Sequence, residues 1–221
     1  MSRTAPAEGA ATGRLRGWIR GSLTVLLVAL GIQATNAATV KSQNLVDLIQ
    51  HSDQIIVGTV VTVIDGFDQN NVPYTEVTLR VSESIRGEEA ETVSFRQFGL
   101  TAPREIDGRT YLGVTPDGWP TWSEQERVML FLHRPAHLTG LQTTVGLGQG
   151  KLQLHSGRLS NAAGNVGLFQ NLKIEARGLS SAQRAMLETD GEAIDAKPFI
   201  SLVRRAVQES WVEQGVLHHE K

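Results

Sequence analysis

The tetrapeptide Trp119-Pro120-Thr121-Trp122 sits in an otherwise polar stretch, where two indoles are costly to leave in water. Each ring buries about 150–250 Å² when covered. The pair either folds back to close a small core or presents a surface for a ligand or a protein. Tyr111 is near enough in sequence to join it. Tyr111, Trp119 and Trp122 are therefore the expected binding residues.

Other reactive side chains lack a productive pattern. His133 and His137 have the spacing that puts two imidazoles on one helical face. Pro135 lies between them and the preceding run reads as a strand, so no metal site is expected there. His155 falls on the polar face of a strand, and His218 and His219 fall in a tail. Asp107, Asp117, Glu124 and Glu126 add carboxylates to the aromatic stretch without the Asp-x-Asp-x-Asp-Gly spacing that holds calcium. They read as solvated acids. No Gly-x-Ser-x-Gly elbow or Ser-x-x-Lys motif occurs. Gly146-Leu147-Gly148-Gln149-Gly150-Lys151 lacks the full spacing and the following hydroxyl of a phosphate loop. It reads as a tight connection between strands. The chain has no cysteine, which excludes thiol catalysis, thiolate metal sites and disulfides. Neither a catalytic residue nor a cofactor is expected.

The elements that must position the aromatic stretch are mostly strands. Asn44–Ser52 carries an apolar stripe of helical period, with Ser42 as the expected cap. Ile55–Ile64 is β-branched and interrupted by Gly58, the mark of a bulge or bend. Tyr74–Ile85 alternates, with Thr75, Val77, Leu79, Val81 and Ile85 on one face and Glu76, Thr78, Arg80, Ser82 and Ser84 on the other. Thr92–Phe98 completes an antiparallel meander. Gly99–Glu126, with three prolines and four glycines, reads as an irregular and functional loop. Val128–Leu132 is apolar throughout, as in a strand buried on both faces. Further strands are expected near 142–146, 151–155 and 166–169. The remainder turns helical, with Ser181 capping a short helix and Pro198 opening a longer one that Gly215 stops. The apolar face of the longer helix, Phe199 to Trp211, is expected to dock on the β domain.

Residues 1–37 have the layout of a secretory leader. Arg14, Arg16 and Arg20 precede an apolar core at Leu23–Ile32, and Thr35 and Ala37 occupy the −3 and −1 positions of a cleavage site. The apolar run is too short to span a bilayer. Export to the periplasm or the exterior, with no stable membrane anchor after processing, is the expectation. Cleavage leaves 184 residues carrying 17 basic and 22 acidic side chains, a net charge of −5 with histidines neutral. That balance gives no electrostatic reason to bind nucleic acid.

The stretch from Leu48 to Phe98 resembles the first half of a netrin-like OB-fold, the module of tissue inhibitors of metalloproteinases. The resemblance rests on the helix ending in His51-Ser52-Asp53, the run Ile55-Ile56-Val57-Gly58-Thr59-Val60 and the strand closing at Ser84-Ile85-Arg86-Gly87. It is closer to uncharacterised exported bacterial proteins, in which a Gly-Glu-Arg-type strand and a Gln-Gly-Lys turn come next. Glu126-Arg127-Val128 and Gln149-Gly150-Lys151 match them. The resemblance implies a mainly β, OB-like antiparallel barrel over 38–175, with a short N-terminal helix and a helical C-terminal extension over 176–221. The metalloproteinase inhibitors use a disulfide-bonded N-terminal cysteine to chelate zinc, and this chain has none.

OB barrels bind along strands two and three and the adjoining loops. Glu76, Thr78 and Arg80 there lack the basic groove and stacking rings that nucleic acid requires. The function expected is a non-enzymatic exported binding or interaction module acting through the 99–126 loop. A protein or a glycan of the cell envelope or exterior is its expected partner. An exported hydrolase inhibitor, or a hydrolase using loop carboxylates, is the alternative.

Overall fold

The computed structural model describes residues 41–106 and 108–220; the expected leader at 1–37 lies outside them. The described residues belong to one compact unit. Its frame is an antiparallel sheet of seven strands in the order β10 (Ile194–Asp195), β8 (Arg158–Ser160), β7 (Lys151–His155), β6 (Arg127–Leu132), β1 (Gln54–Phe67), β2 (Pro73–Arg86) and β3 (Thr92–Phe98). The mainly β antiparallel architecture expected from the sequence is present. The hydrogen-bonded ladder itself is open, ending at β10 and β3.

Strands β1 (Gln54–Phe67) and β2 (Pro73–Arg86) pair along almost their whole length, and β3 (Thr92–Phe98) pairs with the first half of β2. β6 (Arg127–Leu132) lies on the other side of β1. Side chains alternate between the two faces of a strand, so an all-apolar strand must be covered twice. In β6, Met129 and Phe131 enter one core cluster while Val128, Leu130 and Leu132 enter a second, and all five are fully buried.

Gly58 lies at a register shift in β1, where a Cβ would stand 2.7 Å from the Arg80 carbonyl oxygen. Opposite it, Ser82 is the extra residue of β2. One inserted residue reverses the facing of everything beyond it. Ile85 consequently packs with the first cluster, whereas Val77 and Leu79 belong to the second. This corrects the single alternating face read from the sequence.

The first cluster is roofed by helices. α1 (Leu45–Gln50) starts at Asn44, not at Ser42, through a capping box. The Asn44 side chain accepts from the Asp47 amide, and the Asp47 carboxylate accepts from the Asn44 amide. Ser42 instead lies against Gly167. α2 (Ser181–Leu187) is capped by Ser180, one residue before the expected position. α3 (Ala196–Gln208) docks as expected: Phe199, Leu202, Val203 and Ala206 are buried, each large side chain contributing about 1.5–3 kcal/mol. It stops seven residues before Gly215. Ser210 adopts φ +51° while the Trp211 amide donates to the Ala206 carbonyl and the Ser210 amide to that of Val207. That is a Schellman stop with serine in the position glycine usually fills.

Shorter strands complete the frame. A 3₁₀ turn at Leu147–Gly150 leads into β7 (Lys151–His155), and β8 (Arg158–Ser160) and β10 (Ile194–Asp195) extend that edge. β9 (Leu172–Ile174) pairs with β11 (Leu217–His219). The strand expected at 166–169 is a series of turns. Residues 142–146 form no full strand, but bridges join Leu132 to Thr144 and Arg96 to Leu141.

Candidate functional site

The Gly99–Glu126 segment divides at a neck. Gly99, at φ +103°, approaches Thr115 so closely that a Cβ would lie 2.6 Å from the Thr115 Cα. Leu100 donates to the Gly113 carbonyl at 2.8 Å and accepts from the Thr115 amide at 3.0 Å. The excursion beyond this neck contains a hairpin, β4 (Arg104–Ile106) with β5 (Arg109–Tyr111). The irregular loop expected from the sequence is therefore partly regular.

One carboxylate ties the hairpin to the sheet. Asp65 of β1 accepts from the Thr101 amide (2.8 Å), the Thr101 hydroxyl (2.5 Å) and the Arg104 guanidinium. Burial raises the Asp65 pKa, but the Thr101 bonds and then Arg104 outweigh it, and the group titrates below the usual aspartate range. A depressed native pKa stabilises the fold above the unfolded value of about 3.9, and the contribution is lost as pH falls through the native pKa. Asp65→Asn removes the charge-assisted bonds, together worth about 1.5–3 kcal/mol. We expect tryptic cleavage after Arg104 and Arg109 to accelerate about tenfold in this variant at neutral pH. Unchanged cleavage kinetics would show that Asp65 does not hold the hairpin.

The inner half, Thr115–Glu126, lies against the second core cluster. Trp122 meets Phe95 edge to face with ring centroids 5.3 Å apart, and Trp119 meets Phe98 at 6.4 Å. Gln97 is fully buried between them. Its Nε2 donates to the Pro120 carbonyl at 2.9 Å, and its Oε1 accepts from the Trp122 indole at 3.3 Å. The Gly148 amide donates to the Gly118 carbonyl at 2.9 Å. Tyr111 packs on Phe67 at 4.9 Å. The structure thus sets each of the three sequence-derived site residues on a different phenylalanine, and all three are half-buried.

The densest chemistry lies beside Trp122. Lys151 is 6% exposed, and its Nζ donates to the Glu126 carboxylate at 2.7 Å and to the Thr121 carbonyl. The ammonium also stands 4.6 Å from the centre of the Trp122 ring. Gln153 donates to the other Glu126 oxygen. Burial pushes the Lys151 pKa below the ordinary lysine value, and Glu126 offsets part of that shift. The sequence reading of Glu126 as a solvated acid is corrected here. The enclosed amine is held by a carboxylate, a carbonyl and an indole face, an arrangement that clamps the 121–126 segment to β7.

Histidine chemistry does not assemble. Among the described residues no group of three His, Cys, Asp or Glu side chains is placed to hold a metal. His133 and His137 lie at the end of β6 and in the following turn, where no helix forms. No helix among the described residues is long and apolar enough to cross a membrane.

The hairpin had a sequence signal that the composition of the segment obscured. Asp107-Gly108 between short β-prone runs is a strong two-residue turn signature. Gln97 has none, and Lys151 stands out only as the end of the Gln149-Gly150-Lys151 turn. Comparison with known family models, curated proteins and solved structures finds no match for the chain.

Proposed function

We propose that the protein is an exported, non-enzymatic binding module with an OB-like, netrin-like barrel, engaging a protein partner of the cell envelope or exterior through the outer half of the 99–126 segment. The barrel reading is supported by the Arg96–Leu141 and Leu132–Thr144 bridges, which link residues 141–144 to both β3 and β6. With β1 already between β2 and β6, these two isolated bridges are the contacts that a five-membered barrel would extend. Export rests on the charge and apolar pattern of residues 1–37.

The observation that carries the binding reading is the contrast within the hairpin region. Leu112 is 73% exposed, and Ile106 and Val114 are also open to solvent, yet the base of the same excursion is pinned to Asp65. Apolar side chains displayed on an anchored element lose little entropy on binding. In this reading Tyr111 seats the hairpin on Phe67, while Trp119 and Trp122 fix the segment from behind.

The test compares wild type with Leu112→Asp in cross-linking capture from the exported fraction. A specific partner recovered by wild type, and reduced about tenfold or more by the variant at equal thermal stability, is the expected result. Equal recovery by both sinks the hairpin surface.

A further inference from the structure

A separate cleft of about 430 Å³ opens between the β1–β2 turn and the 138–141 turn, within the size range of small-ligand sites of roughly 300–1,000 Å³. We propose that this cleft binds a neutral saccharide.

Both walls are built before any ligand arrives. In the β1–β2 turn, the Asp68 carboxylate accepts from the Asn70 and Val72 amides, each at 2.8 Å, and Asn71 takes φ +58°. In the opposite turn, the Gly140 amide donates to Ala136 and the Ala136 amide to Leu141, both at 2.8 Å. The Leu141 amide donates to the Thr139 hydroxyl oxygen at 3.2 Å, leaving that hydroxyl its own proton to give. The Arg96–Leu141 bridge and the Gln142 amide, which donates to the Arg96 carbonyl at 2.7 Å, fasten the second wall to β3, beside Arg96 on the cleft floor.

The lining chemistry selects the class. The Arg96 guanidinium stacks 4.3 Å from the centre of the Tyr74 ring, and its Nε donates to Glu76 at 2.7 Å. Its two Nη groups have no protein hydrogen bond among the described residues, so a planar fork of donors is oriented and left available. Tyr74 is itself fixed over Gly66, where a Cβ would come within 3.4 Å of the phenol oxygen. Near the fork, Asp68 offers carboxylate acceptors and Asn70 an amide with both functions.

One guanidinium facing Glu76 and Asp68 leaves the local charge slightly negative, which disfavours a free anion. A cation finds the two carboxylates already engaged, Glu76 by Arg96 and Asp68 by the Asn70 and Val72 amides. Vicinal hydroxyls of a neutral sugar donate and accept at once, so they match carboxylate, amide and guanidinium without burying an unpaired charge. The exposed Leu138, which also lines the cleft, offers an apolar contact for the C–H face of a pyranose.

The experiment is a calorimetric titration of the mature protein with cellotetraose, maltotetraose and chitotetraose, repeated with Arg96→Gln and Asn70→Ala. Arg96 and Glu76 are partly exposed and Asn70 is on a turn surface, so both variants should keep the wild-type melting temperature. Saturable binding of at least one sugar, weakened about tenfold by Arg96→Gln and measurably by Asn70→Ala, is the expected result. Leu112→Asp, which tests the hairpin, should leave that affinity within about twofold. Binding of none of the three, undiminished binding by either cleft variant, loss with Leu112→Asp, or tighter binding of sulfated than neutral sugars overturns the proposal.

Discussion

Lys151→Met should cost about 3–5 kcal/mol of folding stability in urea titrations, the largest effect expected of any polar substitution in the protein. The substitution keeps the bulk of the side chain but strips the Glu126 carboxylate of its ammonium, and that carboxylate is only 12% exposed. Removing one partner of a buried pair costs far more than removing both. The double variant Lys151→Met/Glu126→Leu should therefore recover to within about 1 kcal/mol of wild type, because Thr121 and Gln153 are exposed and their freed polar groups turn to water. The pH dependence supplies an independent sign. Lys151 is held below its unfolded value of about 10.4, so between the two values the unfolded chain carries the extra proton. Stability attributable to this group rises with pH across that window, and the rise should vanish in both variants. An unchanged slope, or a single variant no less stable than wild type, would mean that the clamp does not couple the segment to the sheet.

Much of this fold is legible in the residues because strands write their facing into the chain at period two. β3 runs from Thr92 to Phe98 as read, and β6 is covered on both faces, as five consecutive apolar residues require. What escaped depends on events across the chain. Ile85 continues the pattern of Val77 and Leu79 in sequence, yet it faces the helices because Ser82 is an added residue opposite Gly58. Periodicity predicts a glycine irregularity but not which way the following side chains turn. The end of α3 hides for a related reason, since serine takes the left-handed position that marks a stop when glycine fills it. The Lys151–Glu126 clamp is the deepest omission. Lys151 and Gln153 alternate with Leu152 and Leu154 as on any half-wet strand, and only the return of Thr121–Glu126 over Lys151 buries that one ammonium while Gln153 stays exposed. The tryptophans thus drew attention to the segment, whereas the polar groups that hold it in place required the fold.

Trp122→Ala should lower stability by about 3 kcal/mol, at the lower end of the range for truncating a large aromatic, because the ring is only half-buried. Three losses combine there: the edge-to-face contact with Phe95, the cover over Lys151, and the indole donor to Gln97. The last leaves an acceptor of a fully buried amide unpaired. Trp119→Ala, whose ring meets Phe98 at the longer 6.4 Å separation, should cost about 1 kcal/mol. In protein prepared from residue 38 onward, emission comes from Trp119, Trp122 and the buried Trp211. The wild-type spectrum should therefore be blue-shifted and partly shielded from acrylamide, and Trp122→Ala should expose what remains by loosening the inner half of the segment. The two roles open to the aromatic pair separate cleanly on this comparison. If Trp122→Ala destabilises the fold while partner capture at low temperature persists, the indole is a buttress and recognition belongs to the hairpin beyond the neck. If stability is unchanged and capture is lost, Trp122 is itself the contact, and the binding surface shifts inward from Leu112 to the inner half of the segment.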